Sequence, residues 1–228
     1  MALPVLLGEL DANMLSFLNK YAKNFRHSQN GEEGILLECL RRLNITGGHA
    51  VEIGSNDGFF CSNTALLLEY GWSGKMVEAD WNLYLKCKEN WARKKDVRVQ
   101  CCRVDAKNVN AFVDARCDVL SVDTDGFDYE IFEVLIARSK IVIVEIDSGI
   151  EPESMDRNSD GAAGYGLMVE LGITKGYRLL CHTGNLVFID AKYKQLFPET
   201  LGIHPLIETE KYFKRDWLQS RLSLKEAG

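Results

Sequence analysis

An acid followed by two spaced glycines, within Ala50-Val51-Glu52-Ile53-Gly54-Ser55-Asn56-Asp57-Gly58, is the stretch of this chain best suited to chemistry. The apolar run reads as a buried strand, and Gly54 lets the chain turn without a Cβ, so that a ligand can lie against bare backbone. Gly58 sits where the next helix is expected to begin, and its small size permits close approach. Carboxylates at Glu52 and Asp57 suit a ligand carrying cationic groups and would repel a pyrophosphate. The dinucleotide fingerprint G-x-G-x-x-G is absent, because Ser55-Asn56-Asp57 replaces its glycine spacing, which disfavours a nucleotide-binding oxidoreductase.

Acids recur after most of the apolar runs that follow. They are Glu78 and Asp80, then Asp105, then Asp123 and Asp125, then Glu145 and Asp147. A single acid after a strand is ordinary helix capping. The same edge acidified at successive strands points instead to a ligand site, because open α/β sheets bind ligands at the carboxyl ends of their strands. Glu78, ending the second strand, can grip two vicinal hydroxyls, and Asp105 can accept from an aromatic amine. Asp123, Asp125 and Asp147 are hard oxygen donors on neighbouring strands, able to hold Mg²⁺ and orient an acceptor hydroxyl. Equally, Asp125-Gly126 can simply cap the following helix. Asp156 to Gly161 mimics the start of a calcium loop, but its twelfth position is Leu167 and the bidentate acid is missing. His27 and His182 are candidate general bases, since a neutral imidazole can take a hydroxyl proton near pH 7. His49 precedes the first strand and falls at the opposite end of the sheet. No Cys-His or Ser-His-Asp arrangement emerges from the spacing.

The elements that must position these residues alternate. Strands are predicted at 50–53, 75–78, 97–101, 119–122 and 141–146, and helices at about 61–70, 82–92, 108–114, 128–137 and 165–175. That order means a parallel sheet with helices on both faces. The last two strands, 177–182 and 185–190, are joined only by Thr183-Gly184, which permits a hairpin and forbids a parallel crossover. The prediction is a Rossmann-like, doubly wound, seven-stranded α/β sheet, mostly parallel, with a C-terminal antiparallel hairpin. Residues 1–48 form a helical cap, with helices at 9–26 and about 32–43. Residues 49–192 form the core, its long acidic loop 147–164 placed as a lid. The tail 193–228 is helical and amphipathic, through Tyr212, Phe213, Trp217, Leu218 and Leu222, and is a candidate homodimer contact.

These motifs resemble class I S-adenosylmethionine (SAM) methyltransferases, and more narrowly the FkbM-like group. The similarity rests on Ser28-Gln29-Asn30-Gly31-Glu32, Val51 to Gly58, Trp72 to Ala79, Ser121 to Tyr129 and Val144-Glu145-Ile146-Asp147, and it spans about residues 27–191. The group often has Asn where this chain has Asp147. The resemblance implies SAM as cofactor, bound by Gln29, Glu52, Gly54, Asn56, Asp57, Gly58, Glu78, Asp105 and Asp123. It implies catalysis through Asp123, Asp147, His182 or His27, with Mg²⁺ on Asp123, Asp125 and Asp147 where a metal takes part; otherwise Asp123 positions the SAM amine. The implied reaction is methyl transfer to an oxygen of a sugar, glycan or other small metabolite. The alternative is a SAM-binding scaffold without turnover.

Composition sets the outer bounds. The chain has 228 residues, 27 basic and 33 acidic, for a net charge of −6, which argues against a broad nucleic-acid surface. No apolar run reaches the roughly 18 residues of a membrane span, and Met1 to Gly8 lacks the basic start of a signal peptide. Seven cysteines, an odd number without paired metal spacing, are expected to be reduced thiols of a cytoplasmic protein.

Overall fold

The structure is a computed structural model that describes residue 17 and residues 20–151 and 154–200. Its centre is one seven-stranded sheet of order β3-β2-β1-β4-β5-β7-β6. The strands are β1 (His49–Ile53), β2 (Ser73–Glu78), β3 (Val97–Cys101), β4 (Val119–Val122), β5 (Ile141–Glu145), β6 (Tyr177–His182) and β7 (Asn185–Asp190). The first five pair in parallel, and β7 lies antiparallel between β5 and β6. This is the doubly wound outline expected from the alternation of elements. The chain winds outward from β1 through β2 to β3, then returns to β4 beside β1. The carboxyl ends of β1 and β4 therefore form the topological switch point.

Strand alternation sorts side chains into two cores. Val51, Ile53, Leu120, Val122, Val142 and Val144 pack on one face with Ile131, Phe132, Tyr165 and Met168. These last four come from α4 (Asp128–Val134) and α5 (Tyr165–Thr174). Ala50, Met76, Val119, Ile141 and Ile143 face the other way. They meet Ile35 and Leu36 of α1 (Glu32–Leu43), Leu67 and Leu68 of α2 (Ala65–Glu69), and Cys87 of α3 (Trp81–Asn90).

Four helix predictions are shortened, that at 128–137 ending at Val134, where Leu135 turns extended. Residues 61–64 are not helical, because Ser62, Asn63 and Thr64 all donate hydrogen bonds to Glu52. The segment 108–114 keeps only a 3-10 turn at Val109–Ala111. Most of the 9–26 helix lies outside the described residues, and residues 22–26 are not helical. The Glu33 carboxylate explains the second point, since it accepts from the Phe25, Arg26 and His27 amides and turns the chain there. The amphipathic tail residues from Tyr212 to Leu222 also lie outside the described residues. All seven cysteines are free thiols. No helix among the described residues is long and apolar enough to cross a membrane.

Candidate functional site

A cavity of about 550 Å³ opens at the switch point. Gly54, Asn56, Glu78, Asp123 and Asp125 line it, and Gln29 reaches it from the segment before α1. These are six of the residues singled out in the sequence. Each stands there for a local reason.

Gly54 follows β1 with φ +80°. A Cβ there would lie 1.6 Å from the Asp123 carbonyl oxygen. The glycine is therefore demanded by the backbone of β4 and not by space for a ligand, the role expected from the sequence. The strand register explains the encounter: Glu52 pairs with Ser121, so Gly54 falls level with Asp123. Gly54 and Ser55 both donate to the Val77 carbonyl, which ties the turn to β2. Asn56 follows in the left-handed region at φ +51°.

Glu78 ends β2 and is 8% exposed. One carboxylate oxygen accepts from the Asn56 amide at 2.7 Å, and the other from the Asp80 amide at 2.8 Å. The carboxylate is thus fixed in place, yet each oxygen keeps a lone pair for a ligand hydroxyl. Apolar surface next to it comes from Val77, Ala79, Leu83, Val104 and Phe127. Arg103 also lines the cavity, its guanidinium 4.8 Å from the centre of the Phe127 ring.

The acidic end differs from expectation. Ligand oxygens of Asp123, Asp125 and Glu145 lie within 4.8 Å of one another, and Asp147 is not among them. Parallel pairing of Ser121 with Ile143 puts Asp123 level with Glu145 on the same face of adjacent strands. Asp147 is committed elsewhere: its oxygens accept from the Gly149 amide and the Asn158 side chain, both at 2.7 Å. It fastens the start of the 147–164 loop. Burial pushes Asp123 up to about 6 and Glu145 up to about 9, and the charge of Asp123 adds to the rise at Glu145. Near neutral pH this pair holds one proton. Asp128, itself buried, accepts from the Thr124 and Gly126 amides and from the Thr124 hydroxyl. That grip carries Asp125 into the left-handed region at φ +54°.

The remaining sequence candidates lie off the cavity wall. Glu52 is 2% exposed, because strand alternation puts it on the face of Ala50, beneath α2. There it accepts from Ser62 Oγ, Thr64 Oγ1 and the Asn63 amide at 2.5–2.7 Å, and burial raises its pKa. It anchors the loop before α2 and does not face a ligand. Asp57 accepts from the Phe59 and Phe60 amides. A Cβ on Gly58 would meet Trp91 Nε1 and Cys87 Sγ at 2.6 and 2.7 Å, so its close approach is to α3 and not to a helix starting at Gly58. Asp105 accepts from the Lys107 amide and closes the turn before Val109.

Neither histidine reaches the cavity. His27 stacks on Phe59 with ring centres 5.1 Å apart and lies 3.3 Å from Glu69. His182 is fully buried, with Nε2 3.3 Å from Ser148 Oγ, and burial pulls it down to about 3. An imidazole that stays neutral and enclosed over the whole working range has no path to an acceptor in the cavity.

Arg103, Phe60 and Cys61 line the cavity although none was among the candidate site residues, and Glu145, read from the sequence only as one of the strand-end acids, lines it too. Counting register from β4 to β5 would have found Glu145. Arg103 and Cys61 sit in irregular segments with no periodic signal.

No family model matches the sequence, and no curated protein matches it. Among solved structures, monomeric WbdD aligns with a TM-score of 0.50 and 13% identity, over 77% of this chain and 44% of that one. This chain therefore spans less than half of that protein's length. The chain has a Rossmann-like fold, doubly wound and closed by a C-terminal antiparallel hairpin. Two further structures align at a TM-score of 0.49 and 14% identity. One is a putative caffeoyl-CoA O-methyltransferase from Staphylococcus aureus, covering 78% of this chain and 90% of that one. The other is a SAM-dependent methyltransferase from Aquifex aeolicus, covering 77% and 97%.

The donor set fits SAM. A cavity of this size is in the range of small-molecule sites, with a fixed carboxylate for ribose hydroxyls, apolar surface for a purine and anionic groups for an amine. The three clustered carboxyl groups also have the hard-oxygen chemistry that a divalent cation takes.

Proposed function

We propose that this chain is a SAM-dependent methyltransferase of the FkbM-like group, acting on an oxygen of a sugar or other small metabolite. The observation that carries the reading is Glu78. A buried strand-end carboxylate held by two backbone amides faces the same cavity as the Asp123–Glu145 pair.

When bound, SAM supplies an electrophilic methyl carbon for in-line attack by an acceptor oxygen. The chain's own residues do the rest. Glu78 takes the ribose hydroxyls, while Gln29 and Asn56 close the wall around the cofactor. Most of the rate comes from holding the reactants aligned. The acceptor hydroxyl must lose a proton as the new bond forms. Asp123, raised to about 6 by burial beside Glu145, lines the cavity and can take it. In a second reading Asp123, Asp125 and Glu145 hold Mg²⁺ in place of the shared proton, supported by their mutual spacing. The free thiols support a reducing, cytoplasmic setting.

Calorimetry with SAM and S-adenosylhomocysteine tests the cofactor half, and methyl transfer across a panel of hydroxylated metabolites tests the rest. Binding without turnover under all conditions would favour the non-catalytic scaffold. No binding by the intact chain would refute the proposal altogether.

A further inference from the structure

The cavity at the switch point is rich in acceptors and poor in donors. A SAM molecule bound there brings an ammonium and a carboxylate together at its amino-acid end. The carboxyl groups of Glu78, Asp123, Asp125 and Glu145 suit the ammonium and disfavour a further carboxylate. Nearby backbone amides are already committed. Gly54 and Ser55 donate to the Val77 carbonyl, Asp123 to the Ile53 carbonyl, Asn56 to Glu78 and Thr124 to Asp128. The Thr124 hydroxyl is committed to Asp128 as well. Arg103 rests on the Phe127 ring, by the apolar part of the wall, and Asn56 stands beside Glu78. Gln29 remains as a donor for the amino-acid end.

The backbone around Gln29 is fixed from both sides. Its carbonyl accepts from Asn24 Nδ2 at 2.8 Å, and the next amide, that of Asn30, donates to Glu32 Oε2 at 2.9 Å. Before it, Ser28 Oγ donates to Asn24 Oδ1 at 3.0 Å and accepts from the Glu33 amide at 3.1 Å. The Gln29 side chain lines the cavity, and its amide has no hydrogen-bond partner among the described residues. Glu32 sets this order. It is fully buried, and its Oε1 accepts from Thr183 Oγ1 at 2.6 Å and from Asn185 Nδ2 at 3.5 Å. The other acceptor near the Thr183 hydroxyl, the Asn185 carbonyl, is 3.4 Å away. One carboxylate thus grips the β6–β7 turn with one oxygen and the backbone after Gln29 with the other. This segment lies toward the acidic end of the cavity. Burial raises the pKa of Cys61, a cavity residue, and the charges of both Asp123 and Glu32 add to the rise.

We infer that Gln29 donates to the carboxylate at the amino-acid end of bound SAM, and that Glu32 and Thr183 are positioning residues that set its reach. The inference rests on the SAM reading above. It goes further by assigning one ligand group to one side chain and by making the β6–β7 hairpin part of the cofactor site. A primary amide suits the place, because it donates without adding a positive charge that would compete for Asp123 and Glu145. Fixing its backbone beforehand lowers the ordering cost of binding.

Calorimetry on the full chain tests it with S-adenosylhomocysteine (SAH), its decarboxylated analogue, and 5′-methylthioadenosine, which lacks the whole amino-acid end. Gln29→Ala, at an exposed position, should weaken SAH about tenfold or more, as for a hydrogen bond to a charged group, and leave the other two ligands unchanged. Gln29→Glu should weaken SAH further but not the decarboxylated analogue. Thr183→Val should weaken SAH about threefold or more, the loss of one ordinary hydrogen bond. Thr183→Ser should restore it, and neither should affect methylthioadenosine. In the Gln29→Ala background Thr183→Val should do nothing more to SAH, since it acts through Gln29. The inference fails if Gln29→Ala leaves SAH affinity intact or weakens the decarboxylated analogue equally. The positioning role fails if the two substitutions add, or if Thr183→Val weakens methylthioadenosine as much as SAH. No binding of SAH or methylthioadenosine by the intact chain would refute the SAM reading itself, and this inference with it.

Discussion

Replacing Glu145 by Gln should change how stability depends on pH, and the structure sets the size of the change. A glutamate in the unfolded chain titrates near 4.5, whereas burial beside Asp123 raises Glu145 to about 9. The native state therefore keeps a proton that the unfolded chain has already lost. The stabilisation linked to that proton is complete below about pH 4.5 and is lost as pH rises toward 9. Inside this window the native chain binds one more proton, so each pH unit removes about 1.4 kcal/mol. Urea denaturation at pH 7 and pH 8 should show wild type losing about 1.4 kcal/mol from this group. Glu145→Gln, isosteric and unable to ionise, should lose none of it. Buried thiols such as Cys87 and Cys117, pushed up to about 12 and about 11, contribute alike to both proteins. Saturating SAM and Mg²⁺ should be tested separately, because a cation that replaces the proton would flatten the wild-type slope. Parallel stability curves for the two proteins would refute the shared-proton description of the site.

Three other substitutions probe the same architecture. Gly54→Ala drives a Cβ to 1.6 Å from the Asp123 carbonyl at a positive φ. Overpacking and strain together should cost about 2–4 kcal/mol of stability and displace Asp123 from the cavity; unchanged melting and SAM affinity would contradict the contact. Glu78→Ala should leave the protein folded but weaken SAM by about 1.5–3 kcal/mol, the range for hydrogen bonds to a charged group. A calorimetric loss below a few tenths of that range would demote Glu78 to a turn anchor. Glu52→Ala empties a buried acceptor of Ser62, Asn63 and Thr64, and should cost about 3 kcal/mol or more in stability, at about 1–3 kcal/mol for each buried group left unpaired. If Glu52→Ala keeps full stability and loses only SAM affinity, Glu52 contacts the ligand after all.

The sequence by itself determined the sheet and the end of it that matters. Alternating apolar runs and helical spacings are local signals, and the two-residue link at Thr183-Gly184 leaves no geometry for β6 and β7 but a hairpin. Glu78 was legible for the same reason, as an acid at the end of a strand beside the switch point. What lay beyond the sequence was the direction and partnership of side chains set by non-local pairing. Glu52 was read as facing a ligand, yet alternation against Ala50 turns it under α2. Asp147 was read as part of the acidic cluster. The β4–β5 register instead brings Glu145 level with Asp123 and leaves Asp147 to hold its own loop. His182 ends a strand, as expected, but the packing around it keeps it neutral and enclosed. A local pattern can show that a residue stands at an edge. Only the register between strands and the covering helices decide whether it meets a ligand, a backbone amide or a second carboxylate.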